Sequence, residues 1–377
     1  MRKIVILGGG VGGTIVANLL AKKLHRDEAD VTLVDRDAKH VYQPGFVYVA
    51  FGKAKPEKLV RDERSLLRKA VTLIRGEAVR IDPVTRLVHL ADGSKLDYDR
   101  LVIALGARLV PDEVPGFHEA AHHFYSAEAA LKLRQVLGAF EGGKVVVTVG
   151  GIPYKCPPAP AEAALLLDYY FTKRGIRDKV DIHFLSPISR IFPLETVNPA
   201  IEELFAKHNI RSTVFFNTMA IDPAKKIVES VEGETVPFDL LVMVPPHRGP
   251  KVIEDSGLGD RGGWVPTDKR TLRTKAYPEI FALGDSTDVP VSKSGAAAHF
   301  QAKVIAESIL ADLRGLEPAL QYDGRVMCYL DAGYHKAISM TFDYEHPPKL
   351  PKPGLKDWIG KQLVNRAYWT IIPKGRA

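Results

Sequence analysis

The sequence predicts an α/β chain: two parallel-sheet domains in series, followed by an amphipathic C-terminal segment. Three observations predict it. A strand–glycine turn–helix–strand unit occupies residues 2–35. A second unit with the same frame runs from Val145 to Leu167 (VVVTVGGIPYKCPPAPAEAALLL), with its turn rewritten. Beyond a cluster of prolines, apolar residues recur at helical spacing as far as Ile372. With 377 residues, 46% hydrophobic and 26% charged, the chain has room for two or three domains. It shows no internal repeats, low-complexity tracts or metal-ligand spacing.

Residues 2–35 (RKIVILGGGVGGTIVANLLAKKLHRDEADVTLVD) carry a full dinucleotide fingerprint. Gly8 makes the tight turn, Gly10 admits a pyrophosphate and Gly13 lets the helix pack on the strand, with Gly12 beside it. Asp35 ends the second strand, where a carboxylate accepts ribose hydroxyls. The second unit keeps strand, Gly150-Gly151 and helix, but its turn reads Ile-Pro-Tyr-Lys-Cys-Pro-Pro-Ala-Pro. Proline has no N–H to offer a phosphate and blocks close backbone approach. A second nucleotide is not expected there, and a thiol, Cys156, stands in its place. On composition alone Cys156 and Cys328, far apart in sequence, read as unrelated buried residues.

Two later segments, DYDRLVIALGA (97–107) and TKAYPEIFALGD (274–285), resemble the Ala-x-Gly-Ala and Gly-Asp segments of two-dinucleotide-domain flavoproteins. That resemblance implies FAD held by Ala104, Gly106, Gly284 and Asp285, with further contacts from Arg36, Pro44 and Val79. The helix after Lys293-Ser294-Gly295 then aims its positive end at the flavin pyrimidine ring. The expected fold is thus two Rossmann-like dinucleotide-binding domains, the second with a degenerate nucleotide motif. The FAD-binding domain takes residues 1–110 and 246–315, the NAD-type domain 111–245, and a C-terminal region 316–377.

The C-terminal region starts with a strand-like alternation holding Cys328 (DGRVMCYLDAG), then prolines 347, 348, 351 and 353. Seven basic residues against Asp357 give positions 349–377 a net charge of 7 − 1 = +6, out of +7 for the chain. The rest is nearly neutral, which excludes general nucleic-acid binding and points the tail at an anionic surface. Trp358, Tyr368 and Trp369 suit a water–hydrocarbon boundary, so the tail reads as membrane-binding, against the competing reading of a docked terminal helix. The chain as given opens directly on a strand, which reads as no signal peptide, and no apolar run is long enough to span a bilayer. The expected location is peripheral on a membrane. The His122-His123 pair reads as a solvated loop.

Together GGGVGG (8–13), YQPG (42–45), SAEAAL (126–131), the Cys156 loop with Glu162 six residues on, VPPHRGP (244–250), KSG (293–295), Cys328 and YW (368–369) resemble the sulfide:quinone oxidoreductases. The resemblance covers nearly the whole chain. It implies that Cys156 and Cys328 face each other beside FAD, bridged directly or through extra sulfur. Hydrosulfide would open the bridge, and the freed thiolate, taken as Cys328, would add to the flavin C4a carbon and send two electrons into FAD. Glu162 would shuttle protons; as a first-turn helix carboxylate it would also be favoured by the dipole alone. Membrane quinone would accept the electrons near Tyr42, Tyr334, Tyr368 and Trp369. Many relatives carry a third cysteine before the segment matching Ser126; Tyr125 stands there, and Ala129 replaces a histidine often found after it. FAD is therefore expected to be non-covalent. Competing readings are a type II NADH:quinone reductase, a soluble sulfide dehydrogenase donating to a cytochrome, and a non-catalytic flavin redox sensor. Homo-oligomerisation stays open. This reading also makes residues 355–377 dispensable for flavin reduction by sulfide.

Overall fold

The computed structural model describes residues 1–25, 27–349 and 352–375. Pro351 and Arg376, counted above in the linker and the tail charge, lie outside the described residues.

Alternation of apolar runs with helical segments produces two five-stranded parallel sheets. The first runs in the order Ile280–Ala282, Arg100–Ile103, Arg2–Leu7, Ala29–Asp35, Val71–Arg75. The second runs Ala121–His122, Leu240–Val244, Gly143–Val149, Val180–Leu185, Ile210–Thr213. The inner strands are apolar on both faces, as helices on each side of a parallel sheet require. Each sheet is interrupted in the chain by a three-stranded antiparallel meander: Ala78–Asp82, Leu87–Leu90 and Lys95–Asp97 in one, Thr218–Asp222, Ile227–Ser230 and Thr235–Pro237 in the other. Even a register shift recurs, between Ala78 and Arg80 and between Thr218 and Ala220. The chain thus repeats a plan in space that its residues do not repeat in sequence.

The first turn follows the expected logic. Gly8 has φ +102°, and a Cβ there would lie 2.5 Å from the Ala104 carbonyl oxygen. A Cβ on Gly13 would lie 2.0 Å from the Gly8 oxygen, so only glycine lets the helix Val11–Lys23 sit on the strand. The helix Gly295–Arg314 packs against it, capped by Ser294, whose Oγ accepts the Ala297 N–H at 3.2 Å, and closed by left-handed Gly315.

The C-terminal region is a hairpin, Val326–Asp331 with Ala337–Phe342, and a helix, Leu355–Ile371. This helix is docked. Lys361 and Tyr368 are 8% and 6% exposed. Lys361 donates to Glu162, the Tyr368 hydroxyl lies 2.7 Å from His40 Nε2, and Asn18 Nδ2 reaches the Pro373 carbonyl at 2.8 Å. Its other side carries Leu355, Ile359 and Leu363, 58%, 46% and 58% exposed, at four-residue spacing. Docked helix and outward apolar face coexist, so the two sequence readings were not exclusive. Lys361, counted as surface charge, is not available to any surface. His122 and His123 also depart from expectation: both are half-buried, His122 within a strand, and burial lowers both imidazoles, His123 to about 4.

Candidate active site

The rewritten turn places Cys156. After Gly150, whose N–H bonds the Val244 carbonyl at 2.8 Å, the loop runs through Tyr154 and Lys155 to Cys156 at φ +56°. A left-handed cysteine is a strained backbone state that only its surroundings can hold. They do so from both sides. The Cys156 N–H donates to the Lys293 carbonyl at 2.7 Å, and its carbonyl accepts the Ala159 N–H at 2.8 Å, starting the helix Ala159–Lys173. Tyr125, at the place of the missing third cysteine, braces the loop through its hydroxyl on the Lys155 carbonyl at 2.9 Å.

Cys328 comes from the hairpin and hydrogen-bonds the Ser292 side chain. Residues 292–293 therefore touch both cysteines. Both thiols are free. Cys156 is solvent-accessible but sits in a deep recess, while Cys328 is half-buried. Burial, with the Glu162 carboxylate nearby, pushes the Cys156 thiol far above its ordinary value; burial pushes Cys328 up to about 11, with Ser292 and Lys361 pulling back.

Glu162, 5% exposed, faces Lys361 Nζ at 2.5 Å and also accepts the Asp331 N–H. Burial holds the carboxyl above the usual glutamate range, and Lys361 offsets part of that. Burial works against the Lys361 charge too, but Glu162, Tyr48 and Asp331 outweigh it, and the lysine remains a cation. A cleft of about 660 Å³ lies nearby, lined by Tyr42, Tyr48, Asp331, Tyr334, Trp358 and Trp369. This size suits a small-molecule site. Of the four aromatic residues expected at a quinone, Tyr42, Tyr334 and Trp369 line this cleft. Tyr368 does not: it is buried behind Tyr42, at a ring-centroid distance of 4.3 Å, with its hydroxyl on His40. Tyr42 donates to Asn365 at 2.5 Å, and the Tyr334 hydroxyl is held by Asp168 at 2.8 Å.

The residues expected around FAD fit such a group. Gly10 and Gly106 have nothing within 4 Å of an added Cβ, so open space meets the backbone where a pyrophosphate and a ring would approach. Gly12 and Gly284 are instead close-packing glycines, against Leu283 and Ala298. Asp285 Oδ1 is buried without a partner, and burial raises its carboxyl, as expected of an atom awaiting a hydroxyl donor. Asp35 turns Oδ2 to the Gly9 N–H at 2.8 Å and Oδ1 to the N–H groups of Asp37 and Ala38, which fixes its orientation. Lys293 is buried over the Trp264 ring, donates to the Thr287 carbonyl at 2.6 Å, and burial lowers it to about 8. Pro44 lies in the short turn Gln43–Gly45 beside the cleft, Gly295 opens the long helix and Ala104 bonds Leu7. Arg36 and Val79 are exposed, and Arg36 pairs with Asp37.

Lys361, Asp331, Ser292 and Asp168 were not singled out in the sequence. A lysine beside a glutamine on a basic helix looks solvated, and the available signal was its place on the face opposite Leu355 and Ile359.

Residues 2–302 match the pyridine nucleotide-disulphide oxidoreductase family. The chain is 31% identical to the mitochondrial sulfide:quinone oxidoreductase of Dictyostelium discoideum, over 100% of this chain and 87% of that one. It is 28% identical to the Mus musculus counterpart, over 99% and 86%. Its structure superposes on the crystal structure of the sulfide:quinone oxidoreductase of Aquifex aeolicus with a TM-score of 0.89, at 28% identity, covering 100% of this chain and 92% of the other.

Proposed function

Since the chain belongs to the sulfide:quinone oxidoreductases, within the pyridine nucleotide-disulphide oxidoreductase family, we propose that Cys156 and Cys328 are the redox pair through which it oxidises sulfide. The observation that carries this reading is the meeting of two distant cysteines on residues 292–293, with a buried Glu162–Lys361 pair beside them. FAD, held in the glycine cradle, supplies the two-electron acceptor for sulfide and the donor for quinone.

The thiols dictate the order of events. Burial raises both thiols above their ordinary value, and the reaction starts from the bridged pair that the family resemblance implies. Hydrosulfide attacks one sulfur of the bridge, and the other leaves as thiolate. The bond formed is S–S to the incoming sulfur, and the bond broken is the Cys156–Cys328 bridge. The less basic thiolate leaves faster, and the Ser292 hydroxyl and the Lys361 cation both favour the thiolate of Cys328. Cys156 is also the accessible sulfur. Attack therefore falls on Cys156, which becomes the persulfide, and Cys328 is released as thiolate toward Ser292 and Lys361. Glu162 takes the proton of the persulfide at a carboxylate oxygen, with the Lys361 cation beside it favouring the charged form before transfer. Tyr42, Tyr334 and Trp369 wall the cleft proposed for quinone.

Anaerobic mixing with sulfide tests the core of this. Cys156→Ser and Cys328→Ser should each keep FAD and lose flavin bleaching by sulfide by a factor of about 10³ or more. Near-normal bleaching in either variant rejects the redox pair.

The outward stripe Leu355, Ile359 and Leu363 supports peripheral membrane binding, with the cleft turned toward the lipid that dissolves the quinone. No described helix is long and apolar enough to cross a membrane. The triple variant Leu355→Ser, Ile359→Ser, Leu363→Ser should release the protein from vesicles and slow turnover with a long-tailed quinone, but not flavin bleaching by sulfide. Undiminished vesicle binding would reassign the stripe to a protein partner. Truncation at residue 355 is not an equivalent test, because it also removes Lys361, the cation paired with Glu162. Removing the tail should therefore slow flavin bleaching by sulfide as well as vesicle binding.

A further inference from the structure

Asp168 lies two helical turns beyond Glu162 on the helix that follows the Cys156 loop, and it is buried. Its carboxylate takes three donors. Arg177 Nε meets Oδ1 at 2.5 Å; His208 Nδ1 and the Tyr334 hydroxyl meet Oδ2, each at 2.8 Å. Nothing in the sulfide chemistry above uses this cluster.

Tyr334 belongs to the turn of the Cys328 hairpin. It and His335 are consecutive non-glycine residues in the left-handed region, at φ +51° and +57°. They are the central pair of a turn closed by the Lys336 N–H on the Gly333 carbonyl at 2.8 Å, a geometry that hairpins favour but normally give to asparagine and glycine, so two bulky side chains there carry a backbone cost. The turn is held in that state from outside. The Tyr334 ring stacks on His208 at 5.0 Å and meets Tyr169 edge-on at 4.7 Å, while His335 stands perpendicular to Trp358 at 4.7 Å. Thr172 Oγ1 lies 3.0 Å from the Tyr334 hydroxyl. Gly333 is pressed so close to the helix that an added Cβ would sit 2.8 Å from Tyr169 Cβ. The strain is therefore local to the turn, and the bonds that hold it run to the helix carrying the other half of the dithiol site.

We propose that the Tyr334–Asp168 contact is a latch that positions Cys328 against Cys156. It fastens the hairpin strand Val326–Asp331 to the helix Ala159–Lys173, so that the two sulfurs approach as parts of one body rather than as tips of two independent segments. The same turn presents the Asp331 N–H to Glu162, so one fastening aligns thiol and carboxylate together. Tyr334 and Asp168 are positioning residues: they touch neither sulfur, and their effect is on how often the thiols meet. This inference rests on the redox-pair reading.

The test is the effective molarity of the two thiols in the flavin-loaded protein. Samples equilibrate anaerobically with reduced and oxidised dithiothreitol, are quenched by alkylation and are read by mass spectrometry. Tyr334→Phe removes one hydroxyl and leaves the ring. It should lower the effective molarity of the pair about tenfold, slow flavin bleaching by sulfide by a similar factor, and leave flavin content and melting temperature near wild type. Thr172→Val, which loosens the same hydroxyl from its other side, should shift the equilibrium in the same direction by less. It takes over as the test if Tyr334→Phe fails to hold flavin. A wild-type effective molarity in the testable variant overturns the latch and leaves the redox pair standing. A wild-type protein whose thiols form no disulfide at any poise overturns both.

Discussion

The two glycine turns of this chain differ more than the sheets that hold them. Both follow the third strand of a five-stranded parallel order, both receive a bond from a neighbouring strand (Gly8 N–H to Val34, Gly150 N–H to Val244, each at 2.8 Å), and both lead into a buried helix. In the first, the helix begins at Val11, directly after the glycines, and the acidic Asp35 closes the far side. In the second, the helix begins only at Ala159, and by strand register Pro187, with no carboxylate, stands opposite Gly150 where Asp35 stands opposite Gly8. The intervening residues fill the nucleotide space with prolines and a left-handed Cys156. The frame is thus indifferent to what its turn binds. A few residues of loop decide between a phosphate cradle and a thiol mount, while sheet order, meander and even the register shift are kept.

The largest effect should come from filling the cradle of the first turn and not of the second. Gly10 has φ −80°, so a side chain adds no backbone strain, and it points into empty space. Gly10→Val should yield colourless protein, with FAD affinity down by about 100-fold or more, near 2.7 kcal/mol, and an unchanged melting temperature for the flavin-free form. Gly151→Ala, whose new methyl would meet Pro246 Cβ at an ordinary 3.4 Å, should stay fully yellow. Flavin loss in the second variant would break the contrast.

An effect of up to the same size, confined to the sulfide half-reaction and leaving FAD bound, is expected from Glu162→Gln. General-base help of this kind contributes about 10²–10⁴-fold. The working form is the carboxylate, and burial holds its pKa above the ordinary glutamate range. Flavin bleaching by sulfide should therefore rise with pH through that raised value in the native protein. In the variant the acidic limb should vanish and the plateau should fall by about 100-fold. A pH profile of unchanged shape would remove Glu162 from the proton route. The smallest effect is none at all: NADH, mixed anaerobically with the native protein in place of sulfide, should leave the flavin oxidised. Bleaching by NADH at a rate comparable to that by sulfide would mean that the proline loop still admits a nucleotide.

The first turn was legible in the sequence because its function is local. Gly8, Gly10, Gly13 and Asp35 act through backbone shape within one unit of about thirty residues, and their spacing states that shape. Cys156 was legible for the same reason, since prolines in a glycine position announce a changed task. The Glu162 partner was not. Lys361 pairs with it across 199 residues, and on its own helix it is one basic residue among several. Tyr368 was read as a boundary aromatic because a helical wheel gives periodicity but not which side meets protein. Here Tyr368 and Lys361 turn inward, and Leu355, Ile359 and Leu363 turn outward. Both errors have one physical origin: the recess is apolar in volume but closed by buried ion pairs and hydroxyls, which composition cannot tell from surface.

The terminal helix also has a consequence in time. Its three buried anchors join residues separated by 199, 328 and 355 positions, at Glu162, His40 and Asn18. At about 5–20 residues per second of synthesis, Glu162 waits roughly 10–40 s for its lysine after it has been made. During that interval both sheets can form, but the carboxylate beside the thiols has no cation to hold it in place. The nascent chain is therefore folded before it is competent, and the step that completes its chemistry is the arrival of the last helix.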